Sequence, residues 1–98
     1  MSVTTSEQGN TITIKVNGRF DFSAHQDFIN SYRDTPKGEK SFIVDLSATD
    51  YMDSSAMGML LQLREHANKA APIQLVNANA NIQEILKIAN FDKLFKLS

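Results

Sequence analysis

Ala56, Met59, Leu60, Leu63, Ala67 and Ala70 are separated by steps of 3, 1, 3, 4 and 3. At about 100° per residue they fall within one narrow stripe. That stripe commits 54–70 to an amphipathic helix, and the segments around it say what the helix lies on. Ile12, Ile14 and Val16 alternate with polar residues over 11–17, so they share one face of a half-buried strand that Gly18 ends. Phe42-Ile43-Val44 is a short continuous apolar run, the pattern of a central strand covered on both faces, and Leu46 extends it. After Pro72, Ile73-Gln74-Leu75-Val76 reads as another strand. Val3 to Glu7 supplies an earlier strand, joined to the second through a turn at Gly9-Asn10.

Two further helices are predicted. Ala24, Phe28 and Tyr32 recur at four-residue spacing, which predicts a helix over about 24–34, capped by Ser23 and stopped at Thr35-Pro36-Lys37-Gly38. Ile82, Ile85, Leu86 and Ala89 form another apolar face, and Phe91, Leu94, Phe95 and Leu97 close the chain as an apolar tail that docks on the core. Strands alternating with helices predict an α/β fold, a small mixed β-sheet covered by α-helices. The first hairpin is its antiparallel part, and right-handed crossovers join the parallel part. Ile12, Ile14, Val44, Leu60, Leu63, Leu75, Leu86 and Phe95 should share one core. A chain of 98 residues is one domain, 1–98, with no internal repeat or low-complexity tract.

Composition narrows the function. Ten basic against eleven acidic residues give a net charge of -1, and without a Lys/Arg run to neutralise phosphates no nucleic-acid partner is expected. The chain has no cysteine, so disulfides, thiol nucleophiles and Cys-based zinc sites are ruled out. The first residues lack a basic and then apolar leader, and no apolar run approaches the roughly 18 residues of a membrane span. A cytoplasmic location away from membranes is expected.

The segment Asp50-Tyr51-Met52-Asp53-Ser54-Ser55-Ala56-Met57-Gly58 leads from the central strand into the long helix. Such a junction presents free backbone N–H groups and the positive end of the helix dipole, a place suited to an anion. Asp53 or Ser54 can simply cap the helix, and capping leaves a serine free to carry a phosphate. On the helical wheel Ser54, Met57 and Leu61 lie together on one flank outside the core stripe, with Ser55 on the other flank. Met57 and Leu61 have two readings: packing against a neighbouring helix, or an exposed contact patch with a hydroxyl at its rim, where Gly58 admits a partner's backbone. A dianionic phosphate beside Asp53 would disrupt an apolar contact there.

The run Tyr51-Met52-Asp53-Ser54-Ser55-Ala56-Met57-Gly58-Met59-Leu60 resembles the signature of the STAS-domain anti-sigma-factor antagonists (anti-anti-sigma factors). In that family an aromatic, Met, Asp, two hydroxyl residues, a small residue and Gly introduce the helix. Gly18-Arg19-Phe20-Asp21 is similar to the family's Gly-x-hydrophobic-Asp after the second strand, Ile43-Val44-Asp45-Leu46-Ser47 to its central strand, and Asn90-Phe91-Asp92-Lys93-Leu94-Phe95 to its C-terminal element. The resemblance implies a bacterial partner-switching phosphoprotein in signal transduction and transcription regulation. Its unmodified form binds an anti-sigma factor or related serine kinase, which phosphorylates it, and a PP2C-type phosphatase restores it. It also implies that Ser54 carries the phosphate and that Asp21 is the acidic residue on the loop beside it; with the wheel geometry, Asp53, Ser55, Met57, Gly58 and Leu61 are expected to contribute to partner binding. From the residues alone Asp21 is equally a turn or helix-opening Asp. The chain departs from the family where Ala56 replaces a commoner Gly. It also departs in the aromatic-rich Phe20-Asp21-Phe22-Ser23-Ala24-His25, where Phe22 is expected in the core.

No catalytic residue, metal site or cofactor is expected. A serine hydrolase would need a base, and His25 and His66 are available. However, Gly-x-Ser-x-Gly is absent, and His66 lies about 18 Å along the helix from Ser54 at 1.5 Å per residue. Both histidines are expected at the surface. The rival to the switch is a STAS domain acting as a structural or regulatory subunit of a transporter or stressosome-like assembly, with Ser54 never phosphorylated.

Overall fold

The computed structural model describes residues 3–68 and 71–98. Within them β1 (Val3–Gln8) and β2 (Thr11–Val16) form an antiparallel hairpin with Gln8 opposite Thr11. Its turn is closed by Gly9 at φ +61°, a conformation that glycine adopts without a Cβ penalty. The chain continues through β3 (Gly18–Phe20), a 3₁₀ turn (Phe22–Ala24), α1 (His25–Asn30), β4 (Ser41–Asp45), β5 (Thr49–Met52) and α2 (Ser54–His66). It closes with β6 (Gln74–Val76), α3 (Ala80–Ile88), a second 3₁₀ turn (Phe91–Lys93) and β7 (Lys96–Leu97).

The main sheet has the order β1-β2-β4-β6-β7, antiparallel at the hairpin and parallel elsewhere. This is the mixed α/β sheet the sequence predicts. The register Ile12↔Phe42, Ile14↔Val44, Val44↔Leu75 brings the buried positions of neighbouring strands onto one face. Its opposite face carries Thr13, Lys15, Ile43, Asp45 and Gln74, all half-buried. The central strand is therefore fully buried on one side only, a correction to the expectation for Phe42-Ile43-Val44. Leu46, just past β4, is buried and its N–H donates to the Val76 carbonyl at 2.9 Å, so it does extend the pairing.

All eight residues expected to share the core do so, from Ile12 to Phe95. Ala56, Met59, Leu60 and Leu63 are buried along α2, which stops at His66 with buried Ala67 as its extended C-cap; Ala70 lies outside the described residues. The helix expected over 24–34 is shorter. α1 ends at Asn30, because the Ser31 hydroxyl donates to the Phe28 carbonyl and the chain passes into i→i+3 turns through Thr35. Its apolar face survives, with Ala24, Phe28 and Tyr32 all buried. In the tail Phe91 and Phe95 are buried and stacked, Leu97 pairs in β7, and Leu94 stays partly exposed instead of docking.

Candidate functional site

Two elements absent from the sequence reading build the site. β3 and β5 pair as a small parallel sheet with Phe20 opposite Met52, both buried. Thr49 is the one buried polar side chain among the described residues, and its Oγ1 donates to the Val16 carbonyl at 2.8 Å, fastening this sheet to β2. Strands of three and four residues show too little alternation to stand out in a sequence.

Each strand of the pair is followed by an aspartate with extended backbone, Asp21 at φ -135° and Asp53 at φ -130°, and each aspartate opens a helical turn. Asp53 Oδ1 accepts from the Ser55 N–H at 3.0 Å and the Ala56 N–H at 3.2 Å, so Asp53, not Ser54, is the cap of α2. Asp21 Oδ1 accepts from the Ser23 N–H at 3.0 Å, which corrects the expectation that Ser23 caps α1. The two turns share a spelling, Asp21-Phe22-Ser23-Ala24 and Asp53-Ser54-Ser55-Ala56, and both alanines are fully buried. This short internal echo escapes a search for repeats at the level of whole elements. In it Ser54 occupies the place of Phe22, and Ser55 that of Ser23.

Asp21 also accepts from the Ser23 hydroxyl and from Arg19 Nε at 3.1 Å, and these bonds hold its carboxyl below the usual Asp range. The Arg19 guanidinium lies 4.0 Å over the ring of Tyr51, its neighbour across the β3/β5 pair. Ser54 is exposed as the first residue of α2, whereas Ser55 is half-buried. Leu61 is 39% exposed, Gly58 is exposed, and Met57 is half-buried with part of its side chain against the core. A Cβ at Gly58 would meet nothing within 4 Å. The Ser54 flank of α2 therefore combines an accessible hydroxyl, a helix N-terminus and adjoining apolar surface, as its sequence suggests. Phe22 departs from the sequence reading: it is 69% exposed, not in the core.

Both histidines do structural work and neither is a plain surface residue. His66, at the far end of α2, is half-buried with Nε2 2.9 Å from both Thr35 Oγ1 and the Thr35 carbonyl, and its ring packs edge-on to Tyr32. His25 stacks on Phe22 at 5.1 Å. A cavity of about 480 Å³ lies at that same far end, between Arg64, Asn68, Lys93 and Lys96, remote from Ser54. Among the described residues, no cluster of three or more His, Asp or Glu is placed to hold a metal, and no helix is long and apolar enough to cross a membrane.

A family model described as "Mlab, STAS domain" matches residues 3–97. A STAS-domain containing protein of Pseudomonas aeruginosa is 47% identical over 94 residues, spanning 95% of this chain and 93% of that one. Among solved structures, an anti-sigma factor antagonist from Mycobacterium paratuberculosis superposes with a TM-score of 0.79 at 18% identity, over 97% of this chain and 82% of that one. The Bacillus cell fate determinant SpoIIAA in its phosphorylated form gives a TM-score of 0.65 at 16% identity, over 98% and 90% of the two chains. At such identities these two structures establish a common fold.

Proposed function

This chain belongs to the STAS-domain family and has the fold of the anti-sigma factor antagonists, and we propose that it is a phosphorylation-controlled partner switch of the bacterial cytoplasm. Unmodified, it binds an anti-sigma factor or related serine kinase through the Ser54 flank of α2, releasing a sigma factor or another output. That kinase phosphorylates Ser54 and ends the binding, and a PP2C-type phosphatase restores it. The work is binding, with the chemistry supplied by the partners.

The observation that carries this reading is the setting of Ser54: an exposed hydroxyl on the first turn of α2, left free because Asp53 does the capping. A kinase can reach it without unfolding anything. A phosphate there gains from the helix N-terminus but adds two negative charges beside Asp53 and at the rim of the Met57 and Leu61 surface. A partner that had covered that surface would have to desolvate the dianion. Asp21, at the end of the paired strand, is the second acidic group at this edge.

Intact-mass measurement of the protein from its native host, with site mapping, tests the reading. A single phosphate on Ser54, removed by a PP2C-type phosphatase, is expected. Phosphate on Ser55 alone would contradict the assignment. An unmodified protein whose gene lies among transporter subunits would favour a structural STAS subunit instead.

A further inference from the structure

Phe22 and Ile88 are the two large apolar side chains among the described residues that stand mostly exposed, and of the two Phe22 lies beside the Ser54 turn. Phe20 and Phe28, on either side of it in the chain, are fully buried, yet the Phe22 ring stands 69% exposed. Its position is nonetheless well held. The Asp21 carboxylate ties down the turn through the Ser23 N–H and hydroxyl, Arg19 braces Asp21, and the ring stacks on His25. An exposed aromatic side chain held this way loses little freedom on binding, which is the property of a good anchor.

The parallel register decides what it would anchor. With Phe20 opposite Met52, the turns that follow leave the small sheet side by side, and Phe22 holds in one the place that Ser54 holds in the other. Tyr51, exposed on the neighbouring strand under Arg19, extends the same edge. We infer that Phe22 is a second anchor for the partner that docks over Ser54, inserting its ring into an apolar pocket on that kinase. The inference rests on the reading of Ser54 as the docking flank. It assigns partner choice to the β3 turn and control to the β5 turn: Phe22 selects which kinase fits, and Ser54 determines whether it stays. Leu61, exposed on α2 two turns beyond Ser54, lies farther along the docking flank.

The test uses the full chain and the purified host kinase that phosphorylates Ser54, held with a non-hydrolysable ATP analogue so that binding is read without turnover. Phe22→Ala should weaken binding by about tenfold or more with an unchanged urea midpoint, and Phe22→Leu should recover part of the loss. A fluorinated phenylalanine at position 22 should show its ¹⁹F resonance move when the kinase is added. Affinity for Phe22→Ala within about twofold of the wild type, with a static ¹⁹F signal, would overturn the inference while Ser54→Asp still weakened binding. If Ser54→Asp left affinity untouched, the reading of the Ser54 flank would fail instead, whichever way Phe22→Ala behaved.

Discussion

At the scale of single residues, Asp21 and Asp53 perform the same capping task, but Asp21 also carries Ser23 and Arg19. Its lowered pKa arises first from the Ser23 hydroxyl and then from Arg19. Because the folded-state value lies below the unfolded one, these contacts favour the fold above the ordinary Asp range and lose that effect as pH falls through the depressed value. Titration of the Asp21 carboxyl by NMR should place its midpoint below that of an ordinary Asp, with Ser23→Ala and Arg19→Ala each raising it. A midpoint unmoved by either change would break the link. Gly58 gives a second residue-scale prediction. It lies inside α2 with open space where a Cβ would go, so Gly58→Ala should raise stability by about 0.5–1 kcal/mol, the ordinary gain for a helix interior. If a partner's backbone packs there, the same methyl should weaken the complex, and an unchanged affinity would remove Gly58 from the interface.

Among the elements, α2 divides its surface by burial. Leu60 is completely buried, and Leu60→Ala should cost about 2–5 kcal/mol in unfolding experiments. Leu61→Ala should cost far less stability and should weaken partner binding by about 1 kcal/mol or more. Met57, half in the core, should show both effects. A large stability loss for Leu61→Ala without a binding defect would assign it to packing. α2 was legible in the sequence because six periodic positions outvote any single residue, and the Ser54 flank followed from the same wheel. The paired β3 and β5 were not, since each is too short for its alternation to register, and what aligns them is a tertiary match between Phe20 and Met52. The position of Phe22 was missed for the same reason. Nothing local says that a Phe two residues from a buried Phe faces water, and only the echo of Asp-x-Ser-Ala around Ser54 hinted at it.

Across the whole molecule, the radius of gyration is 12.1 Å, near the roughly 12.6 Å that chain length gives for a compact domain. One core joins both ends of the chain, from Val3 to Phe95. Urea unfolding followed by far-UV circular dichroism and by tyrosine fluorescence should therefore give coincident transitions, and separated midpoints would mean that the site-bearing sheet opens independently. The less buried side of the main sheet was the global feature least visible in the sequence, because Ile43 in an apolar run looks like Val44 until Thr13 and Gln74 are seen beside it in register. The scaffold holds two capped turns at one edge while its helices cover the buried face. On the proposed function, charge at Ser54 decides whether a partner stays bound to that edge. Protein carrying phosphoserine at position 54, incorporated homogeneously, can be compared with unmodified protein for affinity toward the kinase. A loss of about tenfold or more, roughly 1.4 kcal/mol, with the fold intact is expected, and equal affinity of the two forms would contradict a charge switch at Ser54.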